Sequence, residues 1–350
     1  MHGGDIYSTK VKYDFSVNVN PFPLPIKIFW KYVFSFARLK EYPDQISTEL
    51  IDAISKRYNV SPEKIIAGNG ASEIILSAIR AIMPKKAILI SPCFTGYEHA
   101  LKSSDTEIIY FSLDEKDNFN FTEDKFLELK DMLYKEKPKM LFLCNPNNPN
   151  GKLFAKETII HILEFCKKSG ILVLLDECFM DLTGKSENFS LVEKLDVYDN
   201  LVMINALTKT FAVPGLRLGF CFCSSTEINS KIKSQLPEWN VSVIAQKIGT
   251  ELLHCEKFIS KTTKKLSLEI KYLSDKLEEI GFKTYPTDSN FILFYSENEK
   301  ALKKKLLEKQ ILIRDCSDYQ NLDSGYYRIA VKKHNENKKL LSSLRKVVGA

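Results

Sequence analysis

The chain has 350 residues with 50 basic and 44 acidic side chains, which leaves a formal net charge of +6. A chain of this length can bury a large core and form about two domains. The small basic excess favours anionic ligands, but lysine clusters such as Lys303–Lys305 lack the interleaved aromatic residues of nucleic-acid-binding surfaces, so no nucleic-acid partner is expected.

The N-terminal segment is rich in proline near its end, at Pro21, Pro23 and Pro25. Because proline lacks a backbone donor and breaks helices, no regular helix is expected there. We predict that residues 1–25 form an arm, which either joins the C-terminal part of the chain or lies across a partner subunit.

A turn of small residues, 67–73, precedes a helical pattern at residues 74–79. At its centre, Gly70, Ala71 and Ser72 leave the backbone N–H groups of the helix start free to face an anion such as phosphate. Turns of this kind are common to many nucleotide sites, so the motif alone does not identify a ligand.

Strand-like apolar runs alternate with helical patterns through the first two thirds of the chain. This alternation predicts a mostly parallel sheet with helices on both faces, and such sheets bind ligands at the carboxyl ends of their strands. Phe94 follows the first run, where its ring can stack on a planar ligand or simply pack in the core. The runs lie near residues 87–91, 107–112, 139–144, 171–176, 200–205 and 218–223.

Two strand ends carry polar side chains suited to a ligand. Residues 144–150 form an asparagine-proline turn whose rigid backbone can hold the amide of Asn148 in place. The apolar run 171–175 ends at Asp176, whose carboxylate can face a protonated ring nitrogen; capping of the next helix is the alternative.

The most informative segment spans residues 205–219. Lys209 follows a predicted strand and stands eight residues before Arg217, with small residues between them. A lysine amine can condense with an aldehyde as a Schiff base, and the arginine fork can bind a phosphate. Together with the Asp176 carboxylate, this arrangement indicates pyridoxal phosphate.

The C-terminal third has a different pattern. Residues 246–280 predict long helices, and strand-like runs follow at residues 291–294, 311–313 and 327–330. We expect a smaller α+β domain there.

The cysteines and histidines give no indication of a metal site. No two of the eight cysteines have Cys-x-x-Cys spacing, and the five histidines are scattered along the chain. No apolar run reaches the roughly 18 residues of a membrane span, and no segment resembles a signal peptide. We therefore expect buried free thiols, no metal, no membrane contact and a cytoplasmic location.

Taken in this order, the segments resemble the aspartate-aminotransferase-like superfamily of pyridoxal-phosphate enzymes, fold type I, over nearly the whole chain. The threonine-phosphate decarboxylases of cobalamin biosynthesis look most similar, and the histidinol-phosphate aminotransferases come next. The resemblance implies an α/β fold with an N-terminal arm at residues 1–25, a large cofactor-binding domain at 26–245 and a small α+β domain at 246–350.

The resemblance also implies residue roles. Lys209 and Asp176 are expected to be catalytic, and Tyr42 is expected to reach the cofactor phosphate of a neighbouring subunit, which implies a homodimer with shared active sites. The expected substrate-binding residues are Arg328, Arg314, His2 and Asn20. The expected cofactor-binding residues are Lys209, Asp176, Asn148, Arg217, Gly70, Ala71, Ser72, Phe94, Tyr42 and Thr208.

Three features favour the decarboxylases: the His-Gly-Gly sequence that begins at His2, the stretch 311–327, and Phe179, where the aminotransferases usually have tyrosine. In this resemblance Arg314 and Arg328 form a paired site for a carboxylate and a phosphate. We expect decarboxylation of L-threonine O-3-phosphate or of a related substrate such as serine phosphate. Transamination of the histidinol-phosphate type is the alternative in the same fold, and a non-catalytic regulatory protein is the alternative in another class.

Two positions depart from the family pattern. Ala206 stands where a serine usually binds the cofactor phosphate, and Asn150 replaces a threonine. Thr208 or Asn205 is expected to compensate for the missing serine hydroxyl.

Overall fold

The computed structural model describes residues 3–349. Its strands are β1 (Tyr13–Asp14), β2 (Ile65–Gly68), β3 (Lys86–Ser91), β4 (Glu107–Ser112), β5 (Met140–Cys144), β6 (Leu172–Asp176), β7 (Leu201–Ala206), β8 (Gly219–Cys223), β9 (Lys283–Thr284), β10 (Phe291–Tyr295), β11 (Ile311–Leu312), β12 (Arg314–Asp315) and β13 (Tyr326–Ala330). Its α-helices are α1 (Ile26–Ser35), α2 (Thr48–Tyr58), α3 (Ala71–Ile82), α4 (Thr95–Lys102), α5 (Glu123–Glu136), α6 (Lys156–Lys168), α7 (Met180–Thr183), α8 (Ser186–Phe189), α9 (Leu207–Thr210), α10 (Thr226–Lys233), α11 (Val243–Leu253), α12 (Glu256–Ile280), α13 (Leu302–Leu307) and α14 (His334–Val348).

The large sheet has seven strands in the order β2-β8-β7-β6-β5-β3-β4. Within the group β3 to β7, every two neighbouring strands are parallel. Strand β8 is antiparallel to both β2 and β7. Every residue of β5 and β6 is buried, which explains why these strands are continuous apolar runs in the sequence. The mostly parallel sheet predicted from the sequence is confirmed.

Helices cover both faces of this sheet. Alternate residues of β6 enter two separate apolar cores, with Val173 and Leu175 in one and Leu172 and Leu174 in the other. The first core includes residues of α2, α6 and α11, and the second includes residues of α3, α4 and α12. No helix within residues 3–349 is long and apolar enough to cross a membrane.

A second, antiparallel sheet occupies the C-terminal part in the order β12-β13-β10-β9. Arg314 of β12 pairs directly with Arg328 of β13. Cross-strand partners project from the same face of a sheet, so the two arginines share one face.

The N-terminal segment joins the C-terminal part of the chain, because β1 pairs in parallel with β11. This pairing is one of the two placements expected for the arm. The division proposed between residues 245 and 246 falls inside α11, a helix that packs against α1 and α2.

Gly219, the first residue of β8, lies very close to the backbone of the turn before α3. A Cβ atom at this position would lie 2.6 Å from the carbonyl carbon of Gly70 and closer still to the amide nitrogen of Ala71. Because backbone atoms cannot rotate away, we expect Gly219→Ala to lower the free energy of unfolding by about 1–3 kcal/mol, as measured by urea denaturation. Gly215→Ala is the control, since a Cβ there meets nothing within 4 Å; equal stability of the two variants would contradict the expected close approach.

Candidate active site

A cavity of about 550 Å³ lies at the carboxyl edge of the large sheet and extends to the arginine-bearing face of the C-terminal sheet. It brings together residues that are far apart in the sequence, from both ends of the chain and from the carboxyl ends of β2, β3, β5, β6 and β7. Of the predicted site residues, those that line it are Gly70, Ala71, Ser72, Phe94, Asn148, Asp176, Thr208, Lys209, Arg217, Arg314 and Arg328.

Lys209 lies in α9, the short helix that follows β7. Its side chain is largely buried, with Nζ 5.9 Å from the centre of the Phe179 ring. Burial, and next the positive charge of Arg328, lower the pKa of Lys209. The neutral amine is the nucleophilic form, so the site favours attack of Lys209 on a carbonyl group.

Asp176 is the last residue of β6 and is 7% exposed. The Tyr97 hydroxyl donates to its Oδ2 at 2.6 Å, and the backbone N–H of Cys178 donates to its Oδ1 at 2.9 Å. Burial, followed by the charge of Asp176, raises the pKa of Tyr97, so this phenol remains a neutral donor. The two donors fix the carboxylate without neutralising it, as a partner for a positively charged ring nitrogen requires.

The start of α3 forms a cradle for an anion. Gly70 precedes the helix with a φ of +84°, and a Cβ on it would lie 2.7 Å from Nη2 of Arg217. The guanidinium therefore lies against the turn whose first helical N–H groups, at Ala71 and Ser72, have no intrahelical acceptor. A phosphate group fits between these donors and the arginine.

Ala206 stands where the family usually has a phosphate-binding serine, and its surroundings show which residue can take over from that hydroxyl. Ala206 is buried, and its backbone N–H donates to Oδ1 of Asn205 at 2.7 Å. Thr208 lines the cavity, whereas Asn205 is not among its lining residues. Of the two residues expected to compensate, the structure therefore brings Thr208 to the cavity.

Arg328 is held by three oxygen atoms that carry no formal charge. Its Nη2 donates to the Ser16 carbonyl at 2.9 Å, and its Nη1 donates to the Tyr319 hydroxyl at 3.2 Å and to Oδ1 of Asn148. The guanidinium of Arg314 lies over the ring of the same tyrosine, with Cζ 5.0 Å from the ring centre. Tyr319 thus links the two arginines at this end of the cavity.

Three predicted residues are not brought to the cavity within residues 3–349. Tyr42 is 82% exposed and contacts the ring of Trp239 at 5.1 Å, so its contact with a partner subunit stays a prediction. Asn20 is buried behind the lysine segment, where Nδ2 donates to the Thr210 carbonyl at 2.8 Å. His2 lies outside the described residues.

Sequence reasoning missed Asn18, Tyr97 and Tyr319, all of which line the cavity. Oδ1 of Asn18 is buried and has no hydrogen-bond partner within residues 3–349, whereas the Asn20 amide is occupied by the backbone. Asn18 and Asn20 are only two residues apart, so the sequence offered no basis for choosing which of them reaches the cavity. Tyr97 stands three residues after Phe94 in a segment already noted, so its place in the first turn of a helix at a strand exit was the available indication.

These groups fit pyridoxal phosphate: an amine with a lowered pKa, a buried carboxylate fixed by donors, and a cradle for the phosphate. Within the described part of the chain, no cluster of side chains could hold a metal ion. Fold and site together define a pyridoxal-phosphate-dependent enzyme of fold type I.

Comparison with known proteins agrees with this assignment. The model of the family "Aminotransferase class I and II" matches residues 10–344, and the chain belongs to this family. It is similar to the threonine-phosphate decarboxylase of Salmonella typhimurium, with 32% identity over an alignment of 357 residues that covers 99% of this chain and 96% of the relative. The histidinol-phosphate aminotransferase of Clostridium kluyveri is 33% identical over 310 residues, covering 88% and 84%.

Among solved structures, the histidinol-phosphate aminotransferase of Clostridium acetobutylicum has a TM-score of 0.88 and 30% identity, and the match covers 96% of this chain and 99% of that chain. The predicted family, fold and cofactor are confirmed by these comparisons. They include both decarboxylases and aminotransferases, so they leave the reaction itself open.

Lys209 is the residue whose covalent role is most directly testable. Wild-type protein supplied with pyridoxal phosphate is expected to show a visible absorption band and to become covalently labelled on borohydride reduction, as measured by mass spectrometry. Lys209→Ala should lose both, while Lys185→Ala should keep both because Lys185 lies outside the cavity and pairs with Asp288 at 2.7 Å. Absence of the band from cofactor-supplied wild type would refute the assignment of the lysine.

Proposed function

We propose that this chain catalyses the pyridoxal-phosphate-dependent decarboxylation of L-threonine O-3-phosphate, or of a related phosphorylated amino acid such as serine phosphate. The observation that carries the proposal is the placement of Arg314 and Arg328 on one face of the C-terminal sheet, joined through Tyr319. A substrate with both a carboxylate and a phosphate needs two cationic partners, and the arginine fork suits both groups. Similarity to a threonine-phosphate decarboxylase supports this proposal.

Each side chain has a distinct task in this proposal. Bound pyridoxal phosphate supplies an electron sink for the pair left when a bond to the substrate α-carbon breaks. Asp176 would hold the ring nitrogen and stabilise its positive charge, while Lys209 provides an amine that can give up its proton readily. Arg314 and Arg328 would orient the substrate, and this orientation would select which bond to the α-carbon breaks.

Phe179 supports decarboxylation over amino transfer. Its ring packs edge-on against Phe291, with centres 5.1 Å apart, and lies beside Lys209. A tyrosine in this place would present a hydroxyl donor near the reacting groups, whereas phenylalanine offers none. The alternative, an aminotransferase of the histidinol-phosphate type, is favoured by the structural similarity to the Clostridium acetobutylicum enzyme.

The reaction can be assigned by measuring carbon dioxide. Cofactor-loaded protein given L-threonine O-3-phosphate, and no keto-acid acceptor, is expected to release carbon dioxide over many turnovers. Serine phosphate should react as well, since it differs by one methyl group, worth roughly 1 kcal/mol in a pocket.

One variant and one contrary outcome make this experiment decisive. Arg328→Lys keeps the positive charge but loses the planar fork, so we expect a rate at least about tenfold lower. No release from either phosphorylated amino acid, together with amino transfer from histidinol phosphate to 2-oxoglutarate, would replace the decarboxylase proposal with the aminotransferase alternative.

We further propose that the protein works as a homodimer with shared active sites in the cytoplasm, within cobalamin biosynthesis. Helix α1 exposes several large apolar side chains, among them Trp30 and Phe34, the latter 71% exposed. Contiguous exposed apolar surface of this kind is typical of an interface, and the exposed Tyr42 follows the helix closely in sequence. All eight cysteines are free and buried, as suits a reducing compartment.

The proposed dimer can be tested by introducing charged residues on the exposed face of α1. The double substitution Trp30→Asp and Phe34→Asp should shift the protein from dimer to monomer in sedimentation velocity, because burial of unpaired carboxylates is unfavourable. Affinity for pyridoxal phosphate should fall in parallel if Tyr42 completes the partner's site. Tyr134→Asp, at a residue that is 76% exposed on α5, should leave the mass unchanged; a wild-type monomer would overturn the proposal.

A further inference from the structure

The arginines that line the cavity differ in one respect. Within residues 3–349, Arg314 alone among them forms an ion pair, with Nη2 2.7 Å from Oδ1 of Asp318. Among the described residues, Arg328 donates hydrogen bonds to three neutral oxygens, and the Arg217 guanidinium donates to the Pro214 carbonyl. One of the two arginines that face the substrate is therefore already matched by a carboxylate.

The surroundings of this pair fix its geometry. The Arg314 side chain is 5% exposed, stacks on Tyr319 and also donates from Nη1 to the Asp315 carbonyl at 2.7 Å. Asp318 follows four residues later, and its side chain is 39% exposed. The Asp318 carboxylate does not line the cavity itself, but it takes up a donor of a guanidinium that does, which leaves fewer donors of Arg314 for an arriving anion.

We propose that Asp318 determines specificity as a built-in competitor: its carboxylate occupies Arg314 and weakens the binding of the substrate phosphate there. This proposal rests on the proposed function, in which Arg314 and Arg328 divide two anionic groups between them. A phosphate at Arg314 lies within a few ångströms of the Asp318 carboxylate, and like charges at such distances repel measurably even near the protein surface. Arg328, which has no carboxylate partner within residues 3–349, remains the stronger site for the substrate carboxylate.

The alternative to competition is that the Asp318 carboxylate orients the Arg314 side chain. This alternative predicts a different result. Asp318→Asn keeps an oxygen acceptor for Arg314 and removes the charge, whereas Asp318→Ala removes both. Competition predicts tighter phosphate binding in both variants. Orientation predicts unchanged binding in Asp318→Asn and weaker binding in Asp318→Ala.

Isothermal titration calorimetry of the holoenzyme tests the proposal with inorganic phosphate, L-threonine O-3-phosphate and unphosphorylated L-threonine as probes. In the holoenzyme the turn at Gly70 is already taken by the cofactor phosphate. We expect Asp318→Asn to bind both phosphate-containing probes on the order of tenfold more tightly, with L-threonine changed by less than about twofold. Asp323→Asn, which makes the same charge change at an exposed residue outside the cavity, should match wild type.

Equal or weaker phosphate binding in Asp318→Asn would overturn the proposal, as would an equal gain for L-threonine or for Asp323→Asn. Inorganic phosphate is not a substrate of the proposed reaction, so its titration measures binding without turnover and decides the proposal. A protein that releases no carbon dioxide but shows the phosphate-specific gain would refute the decarboxylase function while keeping the role of Asp318, so the two failures are distinguishable.

Discussion

The site depends on one constraint, the burial of a parallel sheet on both of its faces. In β5 and β6 every residue is buried, so a charged side chain inside these strands would lose its hydration without gaining a partner. Polar side chains are therefore confined to the carboxyl edge: Asp176 ends β6, Asn148 lies in the turn after β5, and Lys209 lies in the helix after β7. Because parallel strands end at the same edge, groups from distant parts of the sequence meet there.

The charge balance of the cavity follows from this arrangement. Among the described residues that line it, Asp176 is the only carboxylate, whereas lysine and arginine side chains are several. Arg328 is buried against neutral oxygens, so its charge is solvated by dipoles but remains available to attract an anion. The cofactor phosphate and the anionic substrate that we propose would supply the negative charge that the lining residues do not provide.

The sequence predicted the features that depend on continuous local patterns. The strand-like runs near residues 139–144 and 171–176 agree with β5 and β6 to within a residue, because buried parallel strands have no polar interruptions. Contacts between distant segments escaped prediction. Asn18 and Asn20 are two residues apart and would share one side of a regular strand, so the sequence alone did not distinguish them. Asn20 is fixed by a hydrogen bond from its backbone N–H to the Lys209 carbonyl at 3.0 Å. Tyr319 escaped prediction for a more local reason, because its contact with Arg328 depends on the turn between β12 and β13.

The departures at Ala206 and Asn150 show how neighbouring contacts adapt to a changed residue. Asn150 is buried and its amide donates to the Phe119 carbonyl at 3.1 Å, so it connects the asparagine turn to the segment before α5. Ala206 offers no hydroxyl, so the groups that would bind the cofactor phosphate are the N–H groups at the start of α3, Thr208 and Arg217. A guanidinium can make two hydrogen bonds to a phosphate and brings a positive charge, whereas a serine hydroxyl makes one bond and brings none. We therefore expect Arg217 to contribute a larger share of phosphate binding in this chain than in a relative that keeps the serine.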